Sequence, residues 1–163
     1  MSFIIEWVEQ AEGEPSTFSF TTPFGPLLVV QQGNTITGTD WSLQQTQYNS
    51  VQNHPLATLL AAYWTDPQVV IHLQLLRQGT PFRNRVWQAL QAIPGGTTRS
   101  YSSLAAQLQS SARAVGNACR DNPYALFIPC HRVVALHGPG GYCGKTSGEF
   151  MTIKQQLLQF EAG

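Results

Sequence analysis

A cysteine set between a proline and a histidine, in the stretch FIPCHRVV from Phe127 to Val134, is the feature of this chain best suited to covalent chemistry. An unperturbed thiol is only a few per cent thiolate at neutral pH, and a neighbouring base or cation raises the fraction that acts as a nucleophile. Cys130 has His131 and Arg132 directly after it. Adjacent side chains of an extended strand point to opposite faces. His131 therefore reaches the thiol only where the backbone turns, or where a water bridges sulfur and imidazole. Pro129 permits such a departure, because it donates no ladder hydrogen bond. A buried, inert strand cysteine is the competing reading.

A base acting on cysteine needs a third group to hold its tautomer and orientation. Residues 80–163 contain three carboxylates, Asp121, Glu149 and Glu161. In the helix predicted over TIKQQLLQFE, Glu161 falls at i+4 and i+3 from Leu157 and Leu158 and at i+8 from Ile153, on the edge of the apolar face. It is either directed inward and paired or a surface group at a frayed helix end, and the spacing leaves both open. The other two cysteines, Cys119 and Cys143, lack the short paired spacings of a zinc site, and an odd total argues against a disulfide framework.

The elements that must position these groups are legible from caps and periodicity. Thr80 and Pro81 suit the N-cap and first turn of a helix over PFRNRVWQALQAI, with Phe82, Val86, Leu90 and Ile93 as its apolar stripe. Ser100 caps a second helix, YSSLAAQLQ, with Tyr101, Leu104 and Leu108 on one face. A turn at Ser110 and Ser111 leads to a third, ARAVGNAC. Two short helices joined by a tight turn describe a helix-turn-helix, although any αα-hairpin in a core looks similar. Ala112, Ala114, Gly116 and Ala118 leave little side chain on the third helix, so a nucleic-acid backbone could approach while Arg113 projects beyond it. Small residues equally permit close helix packing.

The first half reads as a small α+β unit. Strand-forming runs from Phe18 to Trp41 are broken by PFGP and QGN, a helix follows with Leu56, Leu59, Leu60, Tyr63 and Trp64 as its stripe, and Ile71, Leu73 and Leu75 alternate as a half-buried strand. His54 and His72 read as a loop residue and a solvent-facing residue. Residues 76–80, LRQGT, form a linker between domains at 1–76 and 80–163. Net charge is zero, but residues 1–79 carry one basic side chain and six acidic ones while residues 80–163 carry eight basic and three acidic, −5 against +5. The second half suits an anionic partner. No apolar run approaches the ~20 residues of a membrane span. The opening MSFIIEWVEQAEGEP turns acidic too soon for a signal or transit peptide, so a cytoplasmic, reducing compartment is expected.

IPCHRVV, together with RSY, ARAVGNA, NP, GGY and the LLxxE pattern of Leu157 to Glu161, resembles the O6-alkylguanine-DNA alkyltransferases, one-use repair proteins that move an alkyl group from a damaged base to their own cysteine. The resemblance covers residues 80–163 with its motifs in order. It implies an RNase H-like N-terminal domain followed by a winged-helix-like helix-turn-helix domain, a monomer acting on double-stranded DNA that contains O6-alkylguanine, and no cofactor or membrane. The metal ligands of zinc-binding members are missing, so no metal is expected. By the resemblance Cys130 is the acceptor, His131 its base through water, and Glu161 the group that orients His131. Asn122 is a hinge that holds the helix-turn-helix against the active-site strand. Arg113 is the finger that enters the duplex, and Tyr101 crowds the target phosphate and hydrogen-bonds the flipped base. The carbonyls of Cys130 and Val133 accept from the guanine amino group, Tyr142 walls the pocket, and the Cys143 N–H donates to O6.

Three departures accompany the resemblance. Tyr101 and Arg113 are twelve residues apart, a shorter turn than the family implies. The segment after Tyr142 is longer than the expected Gly-rich loop, and Cys119 and Cys143 map beside the pocket. Two other classes of function are weighed: a lesion-binding relative, which lacks the cysteine, and a Cys-His hydrolase or helix-turn-helix regulator.

Overall fold

Alternating apolar residues fix the sheet of the first unit. The computed structural model describes residues 3–42 and 53–163, in two units, Met1–Arg77 and Gln78–Gly163. In the first, strands β1 (Phe3–Val8), β2 (Pro15–Thr22), β3 (Gly25–Gln32), β4 (Thr35–Trp41) and β5 (Ile71–Leu76) form one sheet in the order β1-β5-β4-β3-β2. Strands β2, β3 and β4 pair antiparallel through the turns at Pro23-Phe24 and Gly33-Asn34, and β5 lies parallel to both β1 and β4. In β5, Ile71, Leu73 and Leu75 are buried and His72 is exposed, so its alternation is realised. Strand β1 lacks the clean alternation that would mark it in the sequence. Its pairing with β5 joins residues almost seventy positions apart, Phe3 opposite Ile71.

Helix α1 (Pro55–Thr65) buries Leu56, Leu60 and Tyr63. Leu59, at the margin of the expected stripe, is 39% exposed. His54 is the helix cap. Its Nδ1 accepts from the Leu56 amide at 3.0 Å, which makes Nε2 the protonated nitrogen and the donor to Gln31 Oε1, also at 3.0 Å.

The second unit is mostly helical, so the chain as a whole is α+β. Helix α2 (Pro81–Gln91) is capped by Thr80, whose Oγ1 accepts from the Arg83 amide, and it buries Val86, Trp87, Ala89 and Leu90. Helix α3 (Tyr101–Gln107) and helix α4 (Ala112–Arg120) are capped in the same way by Ser100 and Ser111. Trp87 Nε1 donates to the Ala118 carbonyl at 2.8 Å, so α2 holds α4 from behind. Two short strands, β6 (Arg99–Ser100) and β7 (Val133–Val134), pair parallel, and helix α5 (Glu149–Ala162) closes the unit. Among the described residues, no helix is long and apolar enough to cross a membrane.

The turn between α3 and α4 explains how so few residues suffice. The Ser110 amide donates to the Ala105 carbonyl and the Gln109 amide to that of Ala106, with Gln109 at φ 54°. This is the Schellman arrangement, and its left-handed position usually belongs to glycine. Gln109→Gly is expected to stabilise the protein by about 1 kcal/mol, because it relieves the Cβ clash of that conformation. Urea unfolding of the two forms measures it, and a less stable variant would refute it.

Candidate active site

Between Ile128 and Val133 the backbone does turn. Pro129 is followed by a 3₁₀ turn at Cys130–Arg132, with the Arg132 amide donating to the Pro129 carbonyl at 3.0 Å and that of Val133 returning to Cys130 O. Only Val133 and Val134 are strand. The turn separates three consecutive side chains, and all of Cys130, His131 and Arg132 are buried.

Helix α5 supplies the carboxylate. Glu161 is on its inward face with a side chain 1% exposed, which removes the frayed-end reading. His131 Nε2 lies 2.6 Å from Glu161 Oε1, and Arg132 grips the same carboxylate through Nε to Oε2 at 2.8 Å and Nη2 to Oε1 at 3.0 Å. Arg132 Nη1 also donates to the Ile93 carbonyl, just beyond α2, at 2.7 Å. Burial pushes the Glu161 carboxyl up, but the contacts with His131 and Arg132 outweigh it and hold the group at about 2. Burial pushes His131 below its usual value, against the pull of Glu161. At neutral pH the ring is therefore neutral, and its hydrogen bond to an ionised carboxylate places the proton on Nε2. Nδ1, the remaining base, is buried and has no hydrogen-bond partner among the described residues.

The thiol is held from another direction. Asn122 Nδ2 donates to Cys130 Sγ at 3.3 Å and to the Ile128 carbonyl at 2.9 Å, while its Oδ1 accepts from the Tyr124 amide. Asn122 directly follows the C-cap of α4, so one side chain ties the end of that helix to the cysteine turn. Burial pushes the Cys130 thiol up, with Asn122 and then Lys154 acting in the other direction. Cys130 makes no direct hydrogen bond to His131, so an exchange of protons between them needs an intermediary.

Lys154 is the group that the sequence reading passed over. Its side chain is fully buried in α5, and Nζ donates to the Val133 carbonyl at 2.6 Å and to the Gly141 carbonyl at 2.8 Å. Burial lowers it to about 8, opposed by the nearby thiols. The signal was present: Lys154 and Glu161 are seven apart, the spacing that returns to the same helix face. Arg132, a cation beside the thiol in sequence, is in the fold the second partner of Glu161.

A pocket of about 240 Å³ opens over Cys130, lined by Tyr101, Gly116, Cys119, Tyr142 and Cys143 among others. Tyr101 starts α3, with its hydroxyl 3.4 Å from the Gly141 carbonyl, and burial pushes it up to about 12. Tyr142 packs edge-on to His131, with ring centroids 6.3 Å apart. Burial and then the neighbouring Cys130 push the Cys119 thiol well above its ordinary range. None of the three cysteines is in a disulfide, and among the described residues no cluster suits a metal ion.

Outside the pocket, Ala112 and Arg113 are exposed on the first turn of α4. Ala114 and Gly116 are half-buried, and a Cβ built on Gly116 meets nothing within 4 Å. Close packing therefore accounts for Ala118, which is buried against α2, and not for Gly116, which borders open space beside the pocket mouth.

Residues 81–163 match the family model for the DNA binding domain of 6-O-methylguanine DNA methyltransferase. The chain belongs to this family. It is 35% identical over 154 residues to a constitutive methylated-DNA--protein-cysteine methyltransferase of Bacillus subtilis, covering 86% of this chain and 91% of that protein. It is 37% identical over 152 residues to a methylated-DNA--protein-cysteine methyltransferase of Mycobacterium tuberculosis, covering 86% of this chain and 88% of that protein. A crystal structure of the M. tuberculosis O6-methylguanine methyltransferase superposes with a TM-score of 0.75 at 31% identity, over 91% of this chain and 93% of that one. A complex of that protein with DNA gives 0.71 at 33%, over 90% and 92%.

Proposed function

We propose that this alkyltransferase-family chain repairs double-stranded DNA by moving an alkyl group from O6 of guanine, or O4 of thymine, to Sγ of its own Cys130, once per molecule. The observation that carries the reading is a buried thiol at the floor of a base-sized pocket, with Asn122 and Lys154 favouring its thiolate and a neutral His131 backed by Glu161 beside it. A cytoplasmic, reducing compartment keeps that thiol available.

The resemblance to the family supplies the roles of the residues around the pocket. The α4 surface of Ala112, Ala114 and Gly116 admits the duplex backbone, and Arg113 enters the space left by the extruded nucleotide. Tyr101 crowds the phosphate and donates its hydroxyl hydrogen to the flipped base. Flipping costs a few kcal/mol, least for a poorly paired lesion, so damage is selected without reading sequence. Phosphate contacts dominate affinity, which falls as salt rises. The carbonyls of Cys130 and Val133 accept from the guanine amino group. Val133 O already accepts from Lys154, which leaves it one lone pair for this.

Transfer then balances simply. The Cys130 proton passes through a water to His131 Nδ1, and the imidazolium is stabilised by Glu161. The thiolate forms the S–C bond as the C–O6 bond breaks, the departing guanine anion takes a proton from water, and His131 returns the thiol's proton to solvent. Donors at O6, including the Cys143 N–H, and at N3 meet its developing charge. A thioether has no hydrolytic exit, so the protein is consumed.

The test is intact mass after incubation with a duplex holding one O6-methylguanine. One equivalent should gain the mass of a methyl group in place of hydrogen. Bound DNA with unchanged mass would favour a lesion-binding protein. The pH dependence is a second check. Because burial raises the thiol, the rate should climb with pH, then level above about 8, where Lys154 loses the charge that assists the thiolate. Lys154→Gln should slow transfer at pH 7 by about tenfold or more and remove that levelling. An unaltered rate profile would exclude the role.

A further inference from the structure

Beyond β7 the chain makes a tight turn from Ala135 to Gly138, with the Gly138 amide donating to the Ala135 carbonyl at 3.5 Å and Leu136 and His137 at its tip. Leu136 is 71% exposed. The other exposed large apolar side chains among the described residues, Ile4, Leu59 and Val70, all lie in the first unit, so the second unit holds a single one out in water. Isolated exposed leucines are common on protein surfaces. What distinguishes Leu136 is where its turn is fastened.

The turn springs from the strand that follows the cysteine turn and folds back on the mouth of the pocket. Val134 pairs with Ser100, the residue before Tyr101. After the turn, a Cβ on Gly140 would lie 2.8 Å from Tyr101 Cε2 and 3.1 Å from the Ala135 amide nitrogen. Gly140, at φ 73°, therefore lets the chain close against both the tyrosine ring and the start of the turn. The next residues, Gly141 and Tyr142, line one side of the pocket, and Gly116, Cys119 and Arg120 of α4 line another. Arg113 lies one helical turn before Gly116, beside the lip formed by α4, and Leu136 stands beside the other lip. No carboxylate occurs from Ala135 to Gly148, so this lip carries nothing that repels a phosphate backbone.

We infer that Leu136 is an apolar DNA contact, packing on the deoxyribose and base edge of a nucleotide that flanks the flipped one, on the other lip from Arg113. The inference rests on the DNA-repair reading above. Extruding a nucleotide unstacks its neighbours and opens apolar sugar and base surface to water. A leucine set against a base step covers such surface and helps hold the duplex open. It makes no hydrogen bond to a base edge, so it adds affinity without sequence preference. Its contribution comes from area removed from water, and it differs from that of Arg113 in being insensitive to salt.

Single-turnover transfer from a duplex holding one O6-methylguanine, run at low and at high salt, tests this with Leu136→Ser and Leu136→Met. Leu136→Ser should lower the second-order rate about tenfold, the size expected for leaving the apolar area of a leucine uncovered. Leu136→Met should keep the rate within about twofold of the wild type. Salt should slow all three proteins by the same factor, because no charge has changed. Methylation by O6-methylguanine free base, which enters the pocket without a duplex, should be the same in all three. Leu136→Ser as fast as the wild type on the duplex overturns the inference and leaves transfer intact. A loss that appears equally with the free base also overturns it, because it marks a disturbed pocket. A wild type that transfers from neither substrate overturns the transfer reading. Fluorescence anisotropy on the same duplex then decides the inference alone: binding about tenfold weaker in Leu136→Ser upholds it, and equal binding overturns it.

Discussion

Cys130→Ser should bind lesion-containing duplex with near wild-type affinity and gain no mass from it, its transfer rate falling to below about a thousandth of the wild type. Serine is close to cysteine in shape, so the Asn122 contact and the turn at Cys130–Arg132 should survive the exchange. Its hydroxyl ionises far less readily than a thiol, and a site that already opposes the thiolate by burial gives an alkoxide no better support. The other two thiols provide an internal control. Cys119 is pushed above its ordinary range by burial and by Cys130, and Cys143 stands in the rim of the pocket. If Cys130→Ser still gains a methyl group, peptide mapping would locate it on one of these, and Cys130 would lose the acceptor role. Quantitative transfer by the wild type with none by the variant would assign it.

Glu161→Gln carries the largest expected cost in stability. The carboxylate satisfies His131 Nε2 and two nitrogens of Arg132 inside the second unit, and removing its charge leaves a buried guanidinium with the Ile93 carbonyl as its remaining strong acceptor. Losing one partner of a buried pair costs about 3–5 kcal/mol. The depressed carboxyl implies a similar size. The Glu161 carboxyl is depressed from 4.5 to about 2 in the fold, which corresponds to about 3 kcal/mol at neutral pH. A depressed acid contributes that stability above the unfolded value, and it is lost as pH falls from about 4.5 toward 2. Urea unfolding across pH 2 to 7 should therefore show the wild type losing stability more steeply in that window than the variant, in which the buried His131 still resists protonation but no carboxylate titrates at position 161. Equal slopes for the two proteins would show that Glu161 is not the group responsible. In the cold, where the variant remains folded, transfer at pH 7 should also fall by about a hundredfold, because the imidazole loses both the partner that fixes its tautomer and the charge that stabilises its imidazolium. A stability loss with unchanged transfer would confine Glu161 to a structural part.

Elements whose signals lie within a few residues could be read directly from the chain. Thr80, Ser100 and Ser111 each satisfy an amide three residues on, and the alternation of Ile71, Leu73 and Leu75 sets the inward face of β5. The order of motifs around Cys130 placed the candidate groups on the page, and helical spacing placed Glu161 near the apolar face while leaving open whether it turned inward. What the spacing left open was decided by groups far apart in sequence. Glu161 is buried because His131 and Arg132, some thirty positions earlier, meet it from the cysteine turn. Lys154 is buried because two backbone carbonyls, of Val133 and Gly141, converge on one point. The pairing of β1 with β5 is of the same kind. Capping and alternation are satisfied locally and so are written in adjacent residues. A charge enters the interior only when its partners arrive with it, and which partners arrive is set by packing of the whole unit.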